Sequence, residues 1–523
     1  MRVKDTLLRG GVALPVLSGF LIGTSYIPFP PWAVLVCFLP LWIQWDHQTS
    51  LGSVIRSGLI CSFVFTLIGF NWVAYTLHEF AHLDWFLSGL GLVLFAGLAH
   101  LFVPISGALW FLLRRWLSLE AWRSQALMVL LTILTQAHVP MLFDWHFGYS
   151  WLWAQWPLSQ LAEWIGFEGL SAVAVVFNGL ILGVGRQPSA RARLLGLGLL
   201  FMLFLAMNGL GGWLLATLPP ADATLRVVMV QGNIGNSEKM AAELGQGYPD
   251  RILETYLDLS GRALDSVNGP VDFLLWPETA FPDFLGEGLR ANPRRDRLQA
   301  FLKERQLWLV TGAYGFDRAS GRLTNSVFAL DPDGEKTQPP YSKTMLLAFG
   351  EYLPGEAWFP KLREWLPPIG SFQRGGGPEK PLEVRGIPLG VQICYESLFP
   401  AFTRSWSDLG AVAFVNVTND SWYGNWAEPW QHLTMTLARG VEFRRPILRS
   451  TNTGISTVGL PSGERLMASD LDVAWAQHFD IPYRHVPKPT VYQRWPMLVP
   501  GAVVLSLTGL LWGGFIRRGG NAR

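Results

Sequence analysis

Long apolar runs separated by short polar loops occupy the first 220 residues of the chain. A helix needs roughly 20 apolar residues to cross about 30 Å of hydrocarbon, so runs of this kind predict membrane spans. Seven runs precede residue 221 and one follows the polar region, at 8–26, 30–45, 55–76, 85–112, 125–141, 163–185, 194–217 and 495–516. Pro28, Pro30 and Pro31 divide the first two runs, each of which is short.

From Leu225 the pattern changes to short apolar segments that alternate with segments of helical spacing. Near-continuous apolar runs of roughly four to eight residues are typical of strands covered on both faces. The predicted strands are LRVVMVQ (225–231), DFLLW (272–276), LWLVTGA (307–313), NSVFALD (325–331), LGVQIC (389–394), AVAFVNV (411–417), ILRSTN (447–452) and ISTVGL (455–460). The predicted helices are 250–264, 293–305, 396–408 and 427–443. This alternation predicts an α/β sandwich.

These patterns divide the chain into three regions. Residues 1–220 are predicted to form a transmembrane region of about seven helices, residues 221–494 an α/β domain, and residues 495–523 a last transmembrane helix with its tail. At 274 residues the α/β domain is large enough to have a core of its own.

Charge separates the same regions. The chain has 523 residues, of which 50% are hydrophobic and 15% charged, whereas a soluble globular chain carries about 25% charged residues. Residues 1–220 hold 18 charged side chains, and residues 221–494 hold 59. This distribution excludes a single soluble domain and a disordered chain. The net charge of +2, without a basic stripe, gives no indication of a nucleic-acid partner.

The distribution of Lys and Arg predicts the orientation of the chain in the membrane. Basic residues precede the first span and follow the second, fourth, sixth and eighth, whereas the loops 27–30, 77–84 and 142–162 contain none. Because cytoplasmic loops carry the excess of basic residues, both termini are predicted to be cytoplasmic. The α/β domain then lies on the opposite side, which is the periplasm in a bacterium with two membranes.

Three residues of the α/β domain carry reactive groups close to predicted strand ends. Glu278 follows DFLLW in WPETA, Lys343 lies in YSKTMLLAFGEYLP, and Cys394 ends LGVQIC. Cys394 is the one cysteine of this domain, since Cys37 and Cys61 lie in apolar runs. A thiol at a strand-to-helix turn lies near backbone N–H groups that can hold an oxyanion. Taken singly, each residue also fits an ordinary surface or core position.

Together these motifs resemble those of the nitrilase, or carbon–nitrogen hydrolase, superfamily. WPETA around Glu278, YSK at Lys343 followed by FGEYLP around Glu351, and ICYE with Cys394 and Glu396 are similar to its three motif blocks. The catalytic residues of that superfamily are Glu, Lys and Cys in this chain order. Such a domain before the last of eight spans resembles the apolipoprotein N-acyltransferases, a family of bacterial inner-membrane enzymes. The resemblance implies a nitrilase-like αββα sandwich.

The resemblance also implies a two-step acyl transfer that needs no metal or cofactor. Cys394 would be the nucleophile that takes a fatty acyl chain from a phospholipid as a thioester, with Glu278 as general base and Lys343 as oxyanion stabiliser. The acyl chain would then pass to the α-amino group of the N-terminal S-diacylglyceryl-cysteine of an apolipoprotein. The implied partners are therefore a phospholipid donor, a lipoprotein acceptor and the bilayer.

Other residues near the motifs are expected to support this chemistry. Glu351, Tyr395 and Glu396 would orient the catalytic Lys or Cys, or form structural salt bridges. Apolar side chains of the loops 345–370 and 421–430 would cover the thioester, or pack in an ordinary core. The side chains assigned to substrate contact are Phe349, Trp358, Trp422 and Tyr423.

One segment departs from the family pattern. In QGNIGNSEKM, Gly235 and Met240 stand where the family usually has Pro and Trp. The chain therefore does not carry that Trp, while the three catalytic motifs are intact.

Two other functions remain open from the sequence. A membrane-tethered amidase would use the same Glu, Lys and Cys but would pass the acyl group to water. A transporter with an external binding domain would need no nucleophile, and the predicted spans lack the paired charges that transport sites usually show.

Overall fold

The computed structural model describes residues 11–79, 82–143, 145–235, 248–285, 292–348, 350–353, 355–356, 358–359, 361–365 and 370–521. The chain divides into two compact units. The helical unit comprises Met1–His78, Leu83–Thr217 and Arg494–Arg523, and the α/β unit comprises Glu79–His82 and Leu218–Gln493.

Apolar helices make up the helical unit. Their bounds are Ala13–Gly23, Leu39–Asp46, Leu51–Gly69, Trp72–Glu79, Trp85–Leu98, Phe102–Trp116, Ala121–His138, Gly148–Trp153, Ala162–Gly185, Ala190–Ala216 and Leu498–Asn521, with a 3-10 turn at Pro157–Leu161. Among the described residues, five stretches are long and apolar enough to cross a membrane, namely Leu51–Gly69, Trp85–Trp116, Pro157–Gly185, Ala190–Ala216 and Leu498–Ile516.

Three of the eight predicted spans fall on shorter or less apolar helices. The runs 8–26 and 30–45 correspond to helices of 11 and 8 residues, Ala13–Gly23 and Leu39–Asp46. The prolines at 28, 30 and 31 separate them, because proline cannot continue a helix. The run 125–141 corresponds to the 18-residue helix Ala121–His138. The count of eight spans therefore stays a prediction.

A buried asparagine satisfies the irregular backbone between these first helices. Asn178 donates from Nδ2 to the carbonyl of Val34 at 2.8 Å and accepts from the N–H of Phe38 at 2.9 Å. Backbone groups surrounded by lipid must be satisfied within the protein. Asn178 thus allows a non-helical segment to lie inside an apolar bundle.

Two sheets form the α/β unit. The strands are β1 (Ala223–Gln231), β2 (Phe273–Leu275), β3 (Trp308–Asp317), β4 (Arg322–Leu330), β5 (Tyr341–Ser342), β6 (Leu382–Val384), β7 (Ile387–Ile393), β8 (Ala413–Thr418), β9 (Ile447–Thr451), β10 (Thr457–Gly459) and β11 (Trp475–Tyr483). The first sheet has the order β11-β1-β2-β3-β4-β5, and the second has the order β10-β9-β8-β7-β6. The pairs β1–β2, β2–β3, β7–β8 and β8–β9 are parallel, so the carboxyl ends of several strands meet at common sheet edges.

Side-chain alternation along the strands produces the layers. In β1, Val227 and Met229 join a core shared with the second sheet, whereas Val228 and Val230 face a second core. That second core includes residues of the helices Tyr248–Asp265 and Pro293–Arg305. The shared core extends to the helices Pro400–Asp408 and Glu428–Phe443. The α/β unit is therefore the αββα sandwich that the sequence predicts.

Candidate active site

Glu278 lies in the turn after β2, which is packed tightly against β3. The N–H of Gly312 donates to the Pro277 carbonyl at 3.1 Å, and the N–H of Phe281 donates to the Gly312 carbonyl at 3.1 Å. A Cβ at position 312 would lie 2.5 Å from the backbone nitrogen of Thr279 and 2.7 Å from the Cα of Glu278. Only glycine permits this approach, which keeps Glu278 buried, with its side chain 8% exposed.

Lys343 follows β5 and is fixed by its own backbone. Its N–H donates to the Asn325 carbonyl at 2.8 Å, and its carbonyl accepts from the N–H of Gly375 at 2.9 Å. The buried Nζ donates to Glu278 Oε1 at 3.3 Å and to Glu351 Oε1 at 2.9 Å. Nδ2 of Asn325 donates to the same two oxygens, at 2.7 and 3.1 Å.

The lysine keeps its charge in this buried position. Burial disfavours the Lys343 ammonium, but the carboxylates of Glu278 and Glu351 outweigh burial and raise the pKa of Lys343 well above its ordinary value. A cation fixed where water is excluded stabilises an anion that forms beside it. The structure therefore joins Glu278, Lys343 and Glu351 in one cluster, with Glu351 as a partner of the lysine.

Cys394 begins the 3-10 turn Cys394–Leu398 at the carboxyl end of β7. Its φ of 54° is left-handed, which is uncommon for a residue with a side chain. Its carbonyl accepts from Asn416 Nδ2 at 2.9 Å and from Ser397 Oγ at 3.2 Å. Because the C=O and N–H of a trans peptide point in opposite directions, the N–H of Tyr395 points away from Asn416. The first N–H groups of a helical turn have no partner within it, so this group is suited to bind an anion.

The thiol of Cys394 is neutral in the resting structure. Burial raises its pKa, and this outweighs the lowering of the pKa by the Lys343 ammonium and by a hydrogen bond with Thr418. Nearby Glu278 and Asp420 also raise the pKa. Since the thiolate is the nucleophilic form, the thiol needs a proton acceptor before it can attack a carbonyl carbon. Glu278, whose charge acts on this pKa, is a carboxylate close to the thiol.

Glu396 connects the cysteine turn to the lysine loop. Its Oε2 accepts from the N–H of Ile393 at 2.8 Å, and its Oε1 accepts from the N–H groups of Thr344 and Met345 at 2.7 and 3.1 Å. The Tyr341 hydroxyl also donates to Oε1, at 2.8 Å. Burial raises the pKa of Glu396 to about 7, although the backbone donors lower it. Glu396 thus acts through hydrogen bonds rather than through a salt bridge.

A second buried network lies close to the cysteine, and the sequence analysis assigns no role to its residues. Arg449 donates to Asp420 Oδ2 and to Asn416 Oδ1, both at 2.6 Å. Asp420 Oδ1 accepts from Thr418 at 3.2 Å and lies 3.1 Å from His432 Nδ1. The sequence does contain an indication of this network, because NVTND and LRSTN place several polar residues inside apolar strand runs.

Asp420, Glu428 and His432 offer groups of metal-ligating type, with one atom of each within 4.8 Å of the others. The chemistry of the cluster argues against a cation there, because the Arg449 guanidinium already pairs with Asp420. Burial and the Asp420 charge also raise the pKa of Glu428 well above its ordinary value, which favours a neutral carboxyl group. The group is better described as an ion-pair network.

The aromatic residues predicted to contact substrate, and Tyr395, which is predicted to support the catalytic residues, lie in different environments. Tyr423 is buried near Cys394. Its burial, and to a smaller extent the electrostatic effect of Cys394, raise the pKa of its hydroxyl. Tyr395 is half-buried against Phe399, with ring centroids 5.2 Å apart. Trp422 is half-buried and Trp358 is 82% exposed. Gly235 is exposed. Phe349 and Met240 lie outside the described residues.

Two family models match the chain. The carbon–nitrogen hydrolase model matches residues 226–473, and the model of the apolipoprotein N-acyltransferase N-terminal domain matches residues 18–180. The α/β unit, with its Glu, Lys and Cys, thus defines a protein of the carbon–nitrogen hydrolase class.

Relatives along most of the chain specify the family further. An apolipoprotein N-acyltransferase of Bdellovibrio bacteriovorus is 42% identical over 506 residues, which cover 94% of this chain and 92% of that one. Those of Bradyrhizobium diazoefficiens and Geobacter metallireducens are 32% and 27% identical, over 78% and 87% of this chain and 77% and 86% of their own. The chain therefore belongs to the apolipoprotein N-acyltransferase family and is a membrane-bound acyltransferase.

Proposed function

We propose that the chain moves a fatty acyl chain from a phospholipid to the α-amino group of an N-terminal S-diacylglyceryl-cysteine of a lipoprotein, through a thioester on Cys394. The observation that carries the proposal is the buried Lys343 ammonium between Glu278 and Glu351, electrostatically coupled to the Cys394 thiol. The family relationship supports the lipid and lipoprotein substrates.

In the first step the thiol attacks the donor ester. Glu278 accepts the thiol proton, and a bond forms between Sγ of Cys394 and the carbonyl carbon. Lys343 Nζ and the N–H of Tyr395 stabilise the tetrahedral oxyanion. The C–O bond then breaks, and the departing lysophospholipid oxygen takes the proton held by Glu278.

In the second step the acceptor amine attacks the thioester. A bond forms between the amine nitrogen and the acyl carbon, and the C–S bond breaks to release the Cys394 sulfur. Glu278 accepts the amine proton and returns it to that sulfur, which restores the resting thiol. Because water would compete with the amine, the loops around Tyr423 and Trp358 are proposed to exclude it.

A test of the thioester uses purified full-length protein and a phospholipid with an isotopically labelled acyl chain. Intact mass should show one acyl adduct that hydroxylamine removes and that Cys394→Ala lacks. Cys61→Ala, which changes a buried cysteine of the helical unit, should keep the adduct. A diacylglyceryl peptide should then become N-acylated, whereas an amidase would release free fatty acid. Absence of an adduct from the native protein would overturn the mechanism.

We also propose that the chain lies in the inner membrane, as its family relationship suggests, and that its α/β unit lies in the periplasm, as the Lys and Arg distribution indicates. Because all three native cysteines are buried, an added surface cysteine reports its own side of the membrane. An impermeant maleimide should label Ala319→Cys, an exposed position between β3 and β4, in intact spheroplasts. It should label Gln187→Cys, exposed between two membrane helices, only after lysis. The reverse pattern would refute this orientation.

A further inference from the structure

A cavity of about 620 Å³ opens in the helical unit where several helices end together. The ends of Leu39–Asp46, Phe102–Trp116 and Ala162–Gly185 and the start of Ala121–His138 contribute to its wall. Cavities of this size are typical of small-ligand sites. It shares no residue with the candidate active site.

Positive charge dominates the lining. The wall includes the guanidinium groups of Arg114, Arg115 and Arg186 and the carboxylate of Asp46, an excess of two positive charges. Asp46 is bonded to Arg186 and lies 3.8 Å from Nη1 of Arg114. Arg115 instead lies over the ring of Phe111, 4.7 Å from its centroid, and within the described part of the chain it has no acidic partner. Arg115 is therefore the cation most available to a ligand.

A helix N-terminus adds to this positive field. Ala121, the first residue of Ala121–His138, lies in the wall together with Ser124. The N-cap residue of that helix is Glu120, which provides no side-chain capping hydrogen bond and whose carboxylate accepts from Trp122 Nε1 at 3.0 Å. The first N–H groups of a helix lack partners within it and favour negative charge.

Exposed tryptophans place the cavity at the depth of lipid headgroups. Trp116 and Trp122, next to the two helix ends in the wall, are 47% and 63% exposed. Tryptophan side chains of this kind are enriched where the hydrocarbon meets the headgroups. The guanidinium group of arginine can donate two N–H groups to two oxygens of one phosphate. Basic cavities between membrane helices bind acidic lipid headgroups.

We propose that this cavity binds the phosphate group of an acidic phospholipid such as phosphatidylglycerol. Arg115 is the main contact, and Arg114, Arg186 and the start of the helix at Ala121 complete the positive wall. Free inorganic phosphate carries the same anionic group as the lipid headgroup. The flanking tryptophans favour the lipid as the ligand.

Native mass spectrometry of the full-length protein in detergent tests the site. Phosphatidylglycerol adducts should survive at lower lipid concentration than phosphatidylethanolamine adducts, because the latter headgroup has no net charge. Loss of one arginine at a membrane surface should weaken retention of phosphatidylglycerol about fivefold in Arg115→Gln. Arg191→Gln removes an exposed arginine outside the cavity and should change little.

A second variant is expected to strengthen lipid binding, which a folding defect would not do. Asp46→Asn removes the carboxylate that lies in the wall and should strengthen phosphatidylglycerol binding, with no gain for phosphatidylethanolamine. Equal retention of the two lipids, or equal losses in Arg115→Gln and Arg191→Gln, would overturn the site. Displacement of the lipid by inorganic phosphate at matching concentration would overturn the lipid as the source of the anion.

Discussion

Arg449 donates from Nη2 to Asp420 Oδ2 across 2.6 Å, and both side chains are almost completely shielded from water. Nη1 of Arg449 also donates to Asn416, whose amide nitrogen donates to the carbonyl of Cys394. A buried ion pair thus reaches the peptide group of the proposed nucleophile through one side chain.

Breaking this pair should destabilise the protein strongly. Arg449→Met leaves Asp420 as a buried charge without its cation, so the free energy of unfolding should fall by about 3–5 kcal/mol. Arg297→Ala, which removes a half-exposed partner of Glu254, should cost at most about 1 kcal/mol. Unfolding of the full-length protein in detergent measures both, and similar losses in the two variants would contradict the ranking.

Removal of the lysine should slow the chemistry and also destabilise the fold, because it leaves the buried carboxylates of Glu278 and Glu351 without their cation. In Lys343→Met the oxyanion loses its charged donor, and loss of one such donor typically slows a reaction about 10²–10³-fold. Single-turnover formation of the acyl adduct measures this rate. Lys303→Met, at an exposed ion pair with Asp333, serves as the control and should react at the native rate. Native-like kinetics in Lys343→Met would remove the lysine from the mechanism.

Glu396 should make stability depend on pH. Burial raises its pKa from 4.5 to about 7, so between these values the folded chain holds a proton that the unfolded chain releases. Its contribution to stability is complete below about pH 4.5, decreases as pH rises towards 7, and is constant above that. The loss should approach about 3 kcal/mol.

Comparison with Glu396→Gln isolates this effect. The amide cannot ionise, so the difference in unfolding free energy between pH 5 and pH 8 should shrink in the variant. The variant should also be less stable than the native chain, because the amide has one acceptor oxygen for donors that now use two. An unchanged pH dependence would show that another group titrates.

Gly312→Ala should displace the turn that carries Glu278. Its Cβ would meet backbone atoms of Thr279 and Pro277 at 2.5 and 2.6 Å, and such overpacking typically costs about 1–3 kcal/mol. Gly261→Ala, in a helix where the nearest atom is 3.9 Å from the added Cβ, should be neutral or slightly stabilising. Adduct formation should fall only in Gly312→Ala; equal rates would mean that the turn tolerates the shift.

The sequence located the proposed catalytic residues because they lie in contiguous motifs that resemble those of the carbon–nitrogen hydrolases. Glu278 and Cys394 also lie at the ends of predicted strands, whereas Lys343 follows β5, which was not predicted. The sequence left open whether Glu351 and Glu396 orient the site or form salt bridges, and they differ in this respect. Glu351 pairs with Lys343, eight residues earlier, whereas Glu396 accepts from four donors on two chain segments. Spacing along the chain cannot reveal such contacts, since they depend on how strands from two sheets converge.

The buried strands were predicted from the sequence, and the missed strands are short or lie at a sheet edge. All eight predicted strands overlap observed ones, because continuous apolar runs indicate burial on both faces. The three missed strands are β5 with two residues, β6 with three, and β11, which lies at a sheet edge. In β11 half-buried and exposed positions mix with buried ones and Pro482 is tolerated, as is usual at an edge. Its pairing with β1, far earlier in the chain, has no local signal.

Burial and neutrality of the Cys394 thiol have a consequence for its survival in the periplasm, where the α/β unit is proposed to lie. Peroxides and disulfides react with thiolates far faster than with thiols, and the thiol here is both shielded and neutral at rest. A nucleophile that becomes a thiolate only during turnover is protected from oxidative damage between turnovers.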